Sequence, residues 1–404
     1  MRAVVVHSTF VELGGAEAYC FRVVELLQQR FDEVLVLHHG RPVDLDQVEK
    51  WAKLSFDRTK VCFRSMPFGA VTRLTERYRP GSFSQLKSAL MCEQVRPIVA
   101  DADLLVTTGL ECTLRARHII ECIHFPQLIF DRESLKYLGW QTDNNLKYAA
   151  KIAYILLLRR LVRWNKNYIS SLVTVTNSSW TAEQFLRNYP EADVHPIHFG
   201  IAVELKPDSA AWVDFERRAN NFAIVGRISP GKRTLDAVEI VSRLRGLGHD
   251  VGLHIIGSGS GLYADALLRA ITDKPWVKWH QSLNRTEMEE LIVGNKWGLH
   301  CCEHEHYGFA PGEMQALGCI TFIHDSGGQR EIILNAEQRY SDIDDAVRKI
   351  DTVMRDTSRH EALTALGAEG AKLHSSEGFR RKFLALVEEV MTEKRVDDDE
   401  KTPL

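Results

Sequence analysis

Residues 222–256, FAIVGRISPGKRTLDAVEIVSRLRGLGHDVGLHII, contain one full strand–helix–strand repeat. Phe222–Val225 is a short apolar run suited to a buried strand. Arg233–Leu247 spaces its apolar residues with a helical period, and Val251–Ile256 is again strand-like. Two strands joined through a helix run parallel, and a parallel sheet is covered on both faces, which is why its strands are apolar throughout. Downstream the pattern continues with a helix over Leu262–Ile271 and strands over Val277–His280, near Gly298–Cys301 and over Ile320–His324. Upstream it occurs once more: strand Ala3–His7, helix Gly15–Arg30, strand Glu33–Leu37, then strands at Leu104–Thr107, Ile119–His124 and Leu172–Thr176. Between the two series, IAVELKPDSAAWVDFERRANN (201–221) interrupts the periodicity with charge and proline and predicts a linker.

The fold class is therefore α/β, with two doubly wound, Rossmann-like domains in series that divide near residues 203–220. The expected domains are 1–205 and 206–375, followed by a helix at 376–394 crossing back to the first domain and a disordered tail at 395–404. Open sheets of this kind bind ligands at the carboxyl ends of their strands. A central cleft faced by the two domains is the expected site.

Composition narrows the function classes. The 404 residues suffice for two cores at roughly 150 residues each. Lys and Arg number 51 against 54 Asp and Glu, a net charge of −3, which argues against a dedicated nucleic-acid binder. With 26 Gly, 12 Pro and 8 Cys, the chain is neither collagen-like nor a disulfide scaffold. The start, MRAVVVHSTF, lacks a signal-peptide pattern, and no apolar run approaches the ~20 residues that span a bilayer. A cytoplasmic chain with reduced cysteines is expected.

The densest cluster of chemical groups is CCEHEHYGFAPGEMQALGCITFIHDSGGQREII, residues 301–333. Seven residues separate Glu305 from Glu313, and between them Tyr307–Gly312 forms a turn into a helix expected to start near Gly312. The N–H groups and positive dipole end of a helix start suit a diphosphate or a sugar hydroxyl. Glu313, expected in the first helical turn, is placed to accept from a ribose diol; equally, both glutamates could merely favour a helix start. A second glycine turn, Gly327-Gly328 with Glu331, follows the next strand. Upstream, Val225-Gly226-Arg227-Ile228-Ser229-Pro230-Gly231-Lys232 puts two cations on a loop after a strand. That arrangement can hold a leaving diphosphate, although a solvated basic turn would read the same.

Weaker signals are Glu12-Leu13-Gly14-Gly15 after the first strand, His124 at a strand end, and Gly257-Ser258-Gly259-Ser260-Gly261. The last resembles a dinucleotide turn but follows the second strand of its unit, where that motif is not expected. Cys301, Cys302, His304 and His306 match no zinc spacing. Asp101-Ala102-Asp103 precedes an apolar run and reads as a helix-to-strand turn. No metal is expected.

Together and in this order, the paired glycines, GRxxxxK, E-x7-E and GGxxE resemble the retaining family 4 glycosyltransferases of the GT-B fold, over nearly the whole chain. The resemblance implies that the first domain is the acceptor side and the second binds a nucleoside diphosphate sugar. It implies that Arg227 and Lys232 grip the donor diphosphate, Glu313 holds the ribose and Glu305 contacts the donor sugar. Phe309 and Ala310 would offer backbone N–H groups, and Ser282 and Leu283 would lie near the base. Gly14 and Gly15 would sit beside the donor phosphate and His124 would face the transferred sugar. Within the family, Ile123-His124-Phe125-Pro126, Thr176-Asn177-Ser178-Ser179-Trp180-Thr181 and Glu305-His306-Tyr307-Gly308-Phe309 are similar to the α-1,2-mannosyltransferase branch that extends lipid-linked oligosaccharides. GDP-mannose is then the favoured co-substrate and a glycan or lipid-linked molecule the acceptor. A sugar-nucleotide epimerase, or a non-catalytic sugar-nucleotide binder, is the other reading. Ile320 departs from the family, which usually opens that strand with proline.

Residues 134–167 carry seven Lys and Arg against one acid, beside Ile152, Ile155, Leu156, Leu157, Leu158, Leu161 and Trp164. Such a helix can lie at an anionic membrane surface, or its apolar face can simply be core. A second basic stretch is Arg73, Arg77 and Arg79.

Overall fold

The computed structural model describes residues 1–10, 14–70, 72–74, 83–138, 143–201, 203 and 205–392. Glu12, Leu13, Arg77, Arg79 and the tail at 395–404 lie outside the described residues. Two compact units form: Met1–Asn177 with Thr181–Ile197 and the chain from Arg380, and Ser178–Trp180 with His198–Phe379.

The first unit contains a seven-stranded sheet of β1 (Arg2–Thr9), β2 (Glu33–His39), β3 (Val61–Met66), β4 (Leu104–Thr108), β5 (His118–Ile123), β6 (Val173–Thr176) and β7 (Asp193–Pro196). Their order is β3-β2-β1-β4-β5-β6-β7, and every pairing is parallel. The second unit has six parallel strands: β8 (Ala219–Val225), β9 (Gly252–Ile256), β10 (Val277–His280), β11 (Asn295–His300), β12 (Ile320–His324) and β13 (Arg339–Tyr340). Their order is β10-β9-β8-β11-β12-β13. In each sheet the winding reverses once, between β1 and β4 and between β8 and β11. Those are the switch points at which an open sheet leaves a crevice beyond its strand ends.

The cores follow from the apolar runs. Phe222, Ile224, Leu253, Ile255, Trp297, Leu299, Ile320 and Phe322 are buried beneath the helices Thr234–Gly246 and Ile343–Arg355. The stretch 201–221 is less of a linker than its composition predicts. Leu205 is buried in a core cluster of the second unit with Trp212 and Val213 packed against it, and Arg218 lies 5.2 Å from the Trp212 ring. The observed division therefore falls after Ile197, ahead of the expected 205/206 boundary. From Arg380 the helix Ser376–Thr392 belongs to the first unit, where Arg380 donates to Gln29 at 3.0 Å and Glu388 pairs with Arg30.

Candidate active site

The carboxyl ends of β8 and β11 flank the switch point of the second sheet, and the two candidate loops leave from them. After β8, Gly226 adopts a φ of +151°, which a side chain would resist, and Ser229 opens a single turn over Pro230–Lys232. Arg227, between Gly226 and that turn, is exposed. Lys232 reaches across the switch point and pairs with Glu305 of the loop after β11. His300, the last residue of β11, places Nε2 3.2 Å from the same carboxylate oxygen. Burial pushes the Glu305 carboxyl up, but the Lys232 ammonium and the His300 bond outweigh it and hold it well below the usual carboxylate range. Lys232 is raised in turn: burial lowers it, and attraction to Glu305 more than restores it. A second pair, Arg233 with Glu303, joins the same two loops.

Glycines set the position of the Glu305 loop. Gly327 has a φ of +71°, and a Cβ there would come 2.3 Å from the Glu305 carbonyl oxygen. Gly328 donates to that carbonyl at 2.8 Å, and its own missing Cβ leaves room for the His306 carbonyl oxygen, which a Cβ would meet at 2.2 Å. In the same way Gly257 and Gly259 lie against Gly226 and Ile228, so this turn supports the cationic loop and is accounted for without a dinucleotide. Glu331 of the GGxxE stretch accepts from the N–H groups of Ser179 at 2.9 Å and Trp180 at 2.8 Å and from His198 Nε2 at 2.6 Å.

The helix expected near Gly312 starts three residues earlier, at Phe309, behind Gly308 at a φ of +113°. Pro311 falls in that first turn, where proline is tolerated because its missing N–H costs nothing. The Gly312 N–H goes to the Gly308 carbonyl and Pro311 has none, so the other N–H groups of the first turn are those of Phe309 and Ala310. Glu313 thereby moves out of the first turn. Its Oε1 accepts from Arg285 Nη1 at 2.7 Å; burial raises the Glu313 carboxyl and Arg285 opposes the rise.

Arg285 was missed in the sequence, although Asn284-x-x-Glu287 is a capping box that marks a helix start after β10. Ser282, in the same loop, is exposed, and Leu283 packs against the cluster that contains Leu205 and Met314. Thus Lys232 meets Glu305, Arg285 meets Glu313, and Arg227 is near enough for its charge to act on Lys232. Ser282 faces solvent, and its role rests on the resemblance alone.

In the first unit, Gly14 caps the helix Gly15–Leu27, and its N–H donates to Glu17 at 3.0 Å. The His124 ring meets the Tyr19 ring edge-on at 4.9 Å. At this switch point too a polar pair crosses, His7 Nδ1 with Thr108 Oγ1 at 2.7 Å. Asp103 accepts the Arg2 N–H at 2.8 Å at the amino end of the sheet, away from the ligand edge. Cys301, Cys302, His304 and His306 do not converge: His304 and His306 both stack on Trp180, at 6.2 and 6.0 Å. His300, Cys302 and Glu305 do come within 4.8 Å of one another, but Lys232 already neutralises the only carboxylate there.

Residues 213–371 match the family model described as Glycosyl transferases group 1. The GDP-Man:Man(3)GlcNAc(2)-PP-Dol alpha-1,2-mannosyltransferase of Candida glabrata is 20% identical over 218 residues, which cover 51% of this chain and 43% of that enzyme. The chain thus spans less than half the length of this curated relative. WaaG, a glycosyltransferase involved in lipopolysaccharide biosynthesis, superposes with a TM-score of 0.68 at 12% identity, covering 96% of this chain and 99% of its own. Anabaena HepE, solved in complex with UDP and glucose, gives a TM-score of 0.64 at 12% identity, covering 96% and 99%. The chain has the two Rossmann-like domains of the GT-B glycosyltransferase fold, and the second carries the group 1 glycosyltransferase match.

Proposed function

We propose that this chain is a retaining hexosyltransferase that moves a sugar, in the favoured reading mannose from GDP-mannose, to a glycan or lipid-linked acceptor. The observation that carries the reading is the Lys232–Glu305 pair across the β8/β11 switch point, beside Arg227 and the first turn at Phe309 and Ala310. In the proposed step the bond from the sugar C1 to the diphosphate oxygen breaks, and the acceptor oxygen bonds to C1 on the same face. The acceptor proton passes to the departing phosphate. Negative charge grows on the diphosphate, where Arg227, Lys232 and the two N–H groups stabilise it. Glu305 keeps the Lys232 ammonium in place and accepts from sugar hydroxyls, while Glu313 accepts from the ribose diol. No side chain is required as nucleophile.

A mannosyl donor is supported by the named activity of the Candida relative, and a uridine donor by the UDP and glucose of the Anabaena structure. Thermal unfolding in the presence of GDP-, UDP-, ADP- and dTDP-sugars separates the two, because a ligand bound only to the folded state raises its stability. Diphosphate release with an acceptor then tests transfer. Activity in excess EDTA is expected, because two cations and a helix start supply the charge that a metal otherwise would. Complete loss restored by Mg²⁺ or Mn²⁺ would overturn the metal-free reading.

A further inference from the structure

Arg285, which the proposed transfer step does not use, lies at the centre of a carboxylate–guanidinium–carboxylate bridge. It is the first residue of the helix Arg285–Val293, behind the capping residue Asn284 and just beyond β10. Its Nε donates to Glu289 Oε1 at 2.6 Å and its Nη1 to Glu313 Oε1 at 2.7 Å. Glu289 is fully buried, and its second oxygen accepts the Leu205 N–H at 2.9 Å, so it is a fixed post rather than a mobile surface acid. Glu313 stands on a different element, the helix Phe309–Ala316, with its side chain 16% exposed. The guanidinium is a rigid planar fork, and one that bridges two carboxylates on separate helices fixes the second relative to the first.

We infer that Arg285 is a positioning residue that aims the Glu313 carboxylate at a nucleotide ribose diol. The inference rests on the reading of Glu313 as the ribose-binding group. Arg285 occupies one oxygen of Glu313 and leaves Oε2, with the second lone pair of Oε1, for two vicinal hydroxyls. A carboxylate held in one rotamer binds such a diol without the ordering cost that a loose one bears. Without the Arg285 guanidinium that bridges them, the buried Glu289 would repel the Glu313 carboxylate and drive the side chain away from the diol or protonate it.

The test measures affinity for GDP and UDP and for their 2′,3′-dideoxy counterparts by calorimetry, using the nucleotide that binds the wild type. The wild type is expected to prefer the diol form by at least about tenfold, the range of a hydrogen bond to a charged group. In Arg285→Met this preference should collapse towards one, with affinity for the dideoxy nucleotide unchanged. Arg285→Lys keeps a cation but cannot bridge both carboxylates with one fork, and should retain only part of the preference. It also serves if the Met variant does not fold. A merely structural Arg285 would lower the unfolding temperature and leave the ratio intact, and a folded variant with the full wild-type ratio overturns the inference. If instead Glu313→Ala keeps the preference, or the wild type shows none, the ribose reading of Glu313 itself has failed, whatever Arg285 does.

Discussion

Lys232 and Glu305 each hold the other in its charged form, and removing either partner gives the two variants different pH behaviour. In the wild type the Glu305 carboxyl lies below its unfolded value, so the pair's contribution is present above that value and is lost in acid. Lys232 is raised, so the same contribution is lost again only as strongly alkaline pH passes through its folded value. Lys232→Met leaves Glu305 buried beside His300 and Cys302 without the ammonium, and burial then pushes the carboxyl up. Folded-state protonation would recover part of the loss in acid. The unfolding temperature of Lys232→Met should therefore fall further below wild type at pH 8 than at pH 5; an equal deficit at both would argue against an ionised Glu305. In turnover, Arg227→Ala and Lys232→Ala should each cost about 10²-fold or more, as loss of one preorganised oxyanion donor does. Wild-type rates in both would remove the diphosphate assignment.

At the scale of elements, the glycine turns separate backbone strain from loop placement. Gly261 and Gly327 both have positive φ, +77° and +71°, so alanine is strained at either by about 1 kcal/mol. A Cβ on Gly261 meets open space, whereas one on Gly327 would press on the backbone of His304 and Glu305. Gly261→Ala should thus lower stability slightly and leave activity intact. Gly327→Ala should lower activity at least tenfold in a protein that still unfolds cooperatively, and equal activities would show that the Glu305 loop tolerates displacement. The same elements show what was legible beforehand. Strands buried on both faces, such as β8, β9, β11 and β12, stand out as apolar runs, and most of the candidate residues lie just beyond them. The strands not expected, β3, β7 and β13, are all at sheet edges. Asp193–Pro196 carries a charge and a proline, which an edge accepts because one side of its ladder stays unpaired. The Lys232–Glu305 pair could be suspected from motif order; Arg285 and Glu289 are an i,i+4 pair on one helix, but the arm to Glu313 is made by tertiary packing that no local period reports.

At the scale of the whole molecule, the proposed lipid-linked acceptor bears on the first unit's basic segment, which changes character once folded. No helix among the described residues is long and apolar enough to cross a membrane. The helix Asn145–Leu161 buries Lys151, whose ammonium bonds Gln85 at 3.0 Å, together with Ile155 and Leu158. Arg159 is also structural: its Nε donates to the Leu128 carbonyl at 2.9 Å, and its guanidinium lies 3.8 Å from the Phe130 ring and 3.9 Å from the Trp164 ring. The face left to solvent holds Leu146, Leu156 and Leu157, exposed by 80%, 54% and 48%, with Lys147 and Arg160; the following Arg163 and Lys166 are exposed as well. Apolar side chains among cations suit an anionic lipid surface, and each cation near such a surface contributes ~1 kcal/mol. Co-sedimentation with phosphatidylserine-containing vesicles is expected at low salt and should weaken at high salt. The informative variant combines Lys147→Glu, Arg160→Glu and Lys166→Glu with Leu156→Ser and Leu157→Ser, because Arg159→Glu would break the Phe130–Trp164 stack and report on folding instead. Binding that survives this variant in a folded protein, or no binding at low salt, would direct the search to an acceptor free in solution.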